Sequence, residues 1–101
     1  MTSYSLQASK LLESLKEIRV LVESEIHKQQ QGQSSIVRGR QGVMILDQIR
    51  VMMQQIESST LPPPEQRVRG MGNTVIDSWP MDSELGALIL SVEQAYLKLK
   101  S

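Results

Sequence analysis

The sequence predicts an all-α fold, a small antiparallel bundle of about four helical segments at approximately 5–29, 35–58, 64–79 and 82–100. Three observations carry that prediction. Apolar residues recur at steps of three and four, the spacing of one helical face, and nowhere alternate with period two over a useful length. Proline and glycine gather at a few boundaries and leave helix-length stretches between them. Phe is absent and Tyr4, Trp79 and Tyr96 are the only aromatics, so Leu, Ile, Val and Met must build the core. The 101 residues are read as one domain, residues 1–101, near the commonest domain size.

In the first segment, Tyr4, Ala8, Leu11, Leu15, Ile18 and Val22 make a narrow stripe with coiled-coil spacing. Glu25 breaks the stripe and Ile26 covers the next turn. A seam this short predicts one helix of a bundle rather than a long free coiled coil. Lys28 to Ser35 (KQQQGQSS) is a polar connection, with Gly32 as the helix end and Ser34 or Ser35 as the next cap.

The second segment carries Ile45, Ile49, Met52 and Ile56 as its main stripe, broadened by Leu46 and Met53. Val37, Met44 and Val51 lie roughly opposite at seven-residue intervals, with Gln41, Gln48 and Gln55 between them. A helix apolar on two sides is either central in its bundle or meets a second partner. Ser58 to Pro64 (SSTLPPP) leaves helical geometry, because each proline disfavours helix in the residue before it, and Pro64 suits a first helical position.

The third segment places Val68, Met71, Val75, Ile76 and Trp79 on one face. Gly70 and Gly72 weaken it, each costing roughly 0.5–1 kcal/mol in a helix interior, so an interruption is expected near Gly70 to Asn73, where small residues let a neighbouring helix approach. Pro80 ends this segment and Asp82 or Ser83 caps the last one. There Leu85, Leu88, Ile89, Val92, Ala95, Tyr96 and Leu99 form a broad core face, with Leu90 and Leu97 on the other side.

Composition excludes several chemistries. Eleven basic and eleven acidic residues cancel, giving no overall field to gather nucleic acid or anionic lipid. The distribution is uneven: Lys28, Arg38, Arg40 and Arg50 stand against Asp47 alone, while Asp77, Asp82, Glu84 and Glu93 have no basic residue among them. Those stretches can attract one another within a chain or between chains. With no Cys, disulfides, zinc-thiolate sites and thiol catalysis are excluded. The N-terminus lacks a signal-peptide pattern and no apolar run approaches a bilayer span, so no membrane association and a cytoplasmic location are expected.

No catalytic, metal-binding or cofactor-binding residues are assigned. His27 stands alone among Lys28 and glutamines, as a surface side chain would. Arg69 to Thr74 (RGMGNT) lacks the spacing and the Lys of a phosphate-binding loop. Glu13, Glu17, Glu84 and Glu93 do not make the dense acidic set that a magnesium-dependent all-α hydrolase needs, which leaves that reading remote.

The leading expectation is a non-catalytic protein-binding or regulatory module of the adaptor, inhibitor, immunity-protein or chaperone type, self-associating as a homodimer. Its expected interface is Val37, Met44, Val51, Leu90 and Leu97, because a bundle hiding one face per helix would expose them. The alternative is a nucleic-acid-associated regulator. Arg38 and Arg40 precede the second stripe and Arg67 and Arg69 precede the third, where positive charge opposes the helix dipole unless an anion or acidic partner is bound. No helix-turn-helix spacing, RNA-binding aromatic set or basic tail accompanies those arginines.

Overall fold

Four α-helices line up along one another in a computed structural model that describes the backbone of residues 3–100 and the side chains of residues 6–100. They are α1 (Ser3–Gln30), α2 (Gln41–Glu57), α3 (Met71–Ser78) and α4 (Glu84–Lys98), with a single 3₁₀ turn at Pro64–Gln66 and no strand among the described residues. The all-α bundle is therefore as expected. At 1.5 Å per residue, the 28-residue α1 measures about 42 Å, and it sets the long dimension of a molecule measuring 46 × 21 × 21 Å.

The seam of α1 is the spine of the core. Ala8, Leu11, Leu15, Ile18 and Val22 are all buried, while Tyr4 lies outside the described side chains. Against that seam α2 places Ile45, Ile49, Met52, Met53 and Ile56, and α4 places Ile89, Val92, Tyr96 and Leu99. The short α3 adds Met71, Val75 and Trp79, packing on α2 and α4. All of these side chains belong to one buried cluster. Both α2 and α4 thus lie between α1 and α3, which is why each carries apolar residues on two sides.

The start of the second helix differs from expectation, the interruption expected near Gly70 to Asn73 falls at residues 67–70, and the Ser83 cap is as expected, each for a local reason. The second helix begins at Gln41 rather than near Ser35. Residues 35–40 are held out of helix because Glu25 captures them: its carboxylate accepts from the Ile36 backbone N–H (3.0 Å) and the Ser35 hydroxyl (3.1 Å). Ser35 accordingly tethers the connection to α1 instead of capping α2, and Gly39 turns the chain at φ 53°. The third segment is not continuous. Pro64 does start a helical turn, but that turn ends at Gln66, and Gly70 at φ 126° redirects the chain before α3 begins. The last helix starts at Glu84, with the Ser83 hydroxyl accepting from the Gly86 N–H at 3.0 Å.

Close packing of α3 depends on missing side chains, as the small residues of that segment suggested. A methyl group at Gly72 would run into Glu93 and Leu90 of α4, and one at Gly86 would meet Val75 at 2.9 Å.

Candidate protein interface

Four hydrogen bonds from α2 and α4 seat α3 and define the surface around it. From α2, glutamines seven residues apart reach across. Gln41 Oε1 accepts from the Trp79 indole N–H (3.2 Å) and from the Arg38 backbone N–H (3.0 Å), and Gln48 Oε1 accepts from the Met71 N–H (3.2 Å). The third, Gln55, accepts from the Tyr96 hydroxyl of α4. From the other side, the Glu93 carboxylate accepts from the N–H groups of Gly70 (3.1 Å) and Gly72 (3.3 Å). Helix starts leave backbone N–H groups unpaired and carry partial positive charge, so a carboxylate there is favourable on both counts. The sequence marked these glutamines only as spacers and Glu93 only as part of an acidic stretch; the seven-residue interval was the available signal.

The structure redistributes the expected interface residues. Val37 is 2% exposed and belongs to the core, so it is not a surface residue. Leu90 and Leu97 are half-buried and pack against the core cluster. Leu90 lies beside α3 at Gly72, and Leu97 supplies a carbonyl to Arg67 in the segment leading to α3. Val51 is also half-buried. Of the five, Met44 alone is mainly exposed, at 54%. Leu90 and Leu97 therefore meet α3 and its approach, and of the second stripes only Met44 is left mainly uncovered.

What the fold leaves open lies elsewhere. Ile76 was assigned to the buried face of its segment, yet it is 68% exposed, and Met81, in the link before α4, is completely exposed. Between them runs a groove of about 320 Å³, floored by Val75, Trp79 and Leu90 and walled by Ile76, Pro80, Met81 and Ala87. The inward stripe of α3 is Met71, Val75 and Trp79, and at about 100° per residue Ile76 lies roughly a quarter-turn off its centre, at the rim rather than in the buried face. Met81 had no periodic neighbour to mark it.

A larger cleft of about 540 Å³ separates α1 from α2, but its rim is Arg19, Glu23, Arg50 and Glu57, charges of both signs that water solvates. A third, polar cleft is lined by Arg38 and Asp82 together with Glu25 and four serines. It shares Pro80 and Ser83 with the apolar groove. The basic and acidic stretches thus approach one another at this end of the molecule. They form no ion pair with each other among the described residues, where the pairs present are Lys28–Glu25 and Arg50–Asp47.

The candidate anion contacts separate into two kinds. Arg38, Arg40 and Arg69 are exposed. Arg67 is 4% exposed and is committed to the fold. Its guanidinium donates to the carbonyls of Pro62 (2.8 Å), Tyr96 (2.8 Å) and Leu97 (3.0 Å), the last two at the C-terminal end of α4, and lies over the Tyr96 ring. That answers the unpaired carbonyls of a helix end with a cation, and removes Arg67 from the set available to an anion. Burial raises the Tyr96 phenol above its ordinary pKa, offset in part by a hydrogen bond from the Val68 backbone and by Arg67. The phenol therefore stays protonated and serves as the donor to Gln55. His27 is exposed.

The chain matches no protein-family model, no curated protein and no solved structure. No helix of the described residues is long and apolar enough to cross a membrane. The geometry alone therefore carries the functional argument.

Proposed function

We propose that this protein acts without catalysis, as a protein-binding module whose contact surface is the apolar groove between α3 and α4. The observation that carries the reading is the pairing of Ile76 and Met81, two large exposed apolar side chains lining a groove whose floor is buried. Leaving such groups exposed costs roughly 25 cal/mol for every Å² of apolar surface that a partner would otherwise cover. Their arrangement around a concavity distinguishes them from the scattered surface apolar residues of most proteins. Gln41, Gln48 and Glu93 are engaged in seating α3, so these groups give the groove its shape rather than a reaction centre. A nucleic-acid reading is less well supported, because Arg67 is internal and its guanidinium is committed to three backbone carbonyls.

A photo-crosslinking amino acid placed at position 76 in the native host tests this reading, with the same substitution at the exposed Lys16 as the control. The expected result is one or a few discrete protein adducts from position 76 and not from position 16. No adduct from either position 76 or position 81 would overturn the proposal.

A further inference from the structure

The segment around α3 is self-complementary in charge. Arg69 stands exposed just before the N-terminal end of α3, its one side-chain hydrogen bond among the described residues going to the Pro64 carbonyl at 3.4 Å. Asp77 and Asp82 stand exposed at and beyond the C-terminal end, in no ion pair among the described residues. An antiparallel encounter between α3 and a second α3 brings each basic end to an acidic end. Exposed apolar groups flank the helix on both sides. α3 runs antiparallel to α2, as the Gln41–Trp79 and Gln48–Met71 bonds show, which puts Met44 on the α2 side at about the level where Ile76 and its groove lie on the α4 side. A two-fold axis that lies in the interface and crosses α3 reverses the helix direction but keeps each flank on its own side, so Ile76 and the groove of one copy meet Ile76 and the groove of the other, and Met44 meets Met44.

We infer that the partner for this face is a second copy of the chain, bound isologously with the two α3 helices antiparallel. The inference rests on the reading of the groove as a protein-binding surface and names its occupant. The charged ends set the orientation and the apolar groups supply the contact area. A parallel encounter would place Arg69 against Arg69 and the aspartates against one another, so charge alone selects the antiparallel arrangement.

Sedimentation equilibrium of the full chain at low salt is the test. The wild type is expected to dimerise, and Arg69→Glu to weaken the dimer by about tenfold, since symmetry counts each altered pair twice. An Asp77→Arg, Asp82→Arg variant is expected to do the same. Mixing the two variants restores association as a heterodimer, and all three substitutions in one chain restore the homodimer. Ile76→Glu, at a side chain too exposed to affect folding, abolishes association while leaving the circular dichroism unchanged. A mixture that fails to recover association overturns the antiparallel arrangement. A wild type that stays monomeric overturns the homodimer; if position 76 then crosslinks to a different protein the binding-surface reading survives, and if it crosslinks to none both fail.

Discussion

Glu25 shows how one side chain can look like an error in the sequence and be a fixed point in the fold. It interrupts the apolar stripe of α1, yet its carboxylate receives the Ile36 N–H, the Ser35 hydroxyl and the Lys28 ammonium at 3.0–3.1 Å. Burial alone would raise its pKa. The hydrogen bonds from Ile36, Lys28 and Ser35 together outweigh that and hold it below the ordinary carboxylate value. The linkage sign follows: a carboxyl with a depressed folded pKa contributes stability that is fully present above its unfolded pKa and is lost as pH falls through the folded one. Glu25→Gln keeps an acceptor oxygen but removes the titration. The wild type should therefore exceed the variant by on the order of 1 kcal/mol at neutral pH, with the difference closing below about pH 4, where glutamate protonates. Urea unfolding midpoints of both proteins between neutral and acid pH measure this, and a difference that persisted unchanged into acid would contradict it. Arg67 works on the same scale with the opposite charge, joining the approach to α3 to the end of α4 through three carbonyls.

At the scale of elements, α3 is the part whose existence depends most on its neighbours. Eight residues are too few for a helix to persist alone, since isolated helices below about 12–15 residues are marginal in water. Its first N–H groups are received by Glu93 from α4 and Gln48 from α2, and its end is tied by Trp79 to Gln41. Glu93→Ala removes the acceptor for Gly70 and Gly72 together. Amide exchange in residues 74–79 should then accelerate by about tenfold or more, with a smaller change at residues 15–22 of α1. Equal acceleration in both helices would mean that α3 opens only when the whole molecule does. These dependencies also explain what the sequence revealed. The α1 seam, the main α2 stripe and the α4 core face were legible because a helical stripe is written locally, at steps of three and four. The start of α2 was not, because Glu25 draws Ser35 and Ile36 toward α1 from ten residues away or more. Nor was the outward turn of Ile76, which sits at the edge of the apolar stripe of α3, where only the placement of α2 and α4 decides whether a side chain is covered. The second stripes of Val37, Met44, Val51, Leu90 and Leu97 did announce a second neighbour. For most of them that neighbour proved to be within the chain, and the groove remained hidden because its walls, Ile76 and Met81, belong to different segments.

The whole molecule behaves as one core with a surface element that opens easily. Leu15, fully buried midway along the α1 seam, belongs to the same apolar cluster as Met71, Val75 and Trp79 of the α3 region. A single cluster couples its parts: losing α3 strips cover from α2 and α4, and losing α1 removes the spine against which both are held. Equilibrium unfolding should consequently be two-state, with the fluorescence of Trp79, a reporter of α3 docking, following the same transition as helical circular dichroism. Brief openings of α3 seen by hydrogen exchange are compatible with this, because they remain minor populations until the core fails. Leu15→Ala leaves a cavity in that core, and such truncations cost about 2–5 kcal/mol, a large fraction of the roughly 5–15 kcal/mol typical of a domain. The expected result is a fall in melting temperature of at least about 10 °C, with the fluorescence and circular dichroism midpoints moving together. If Leu15→Ala lowers only the circular dichroism midpoint and leaves that of Trp79 in place, the α3 region does not depend on the α1 seam and the molecule has two cores rather than one.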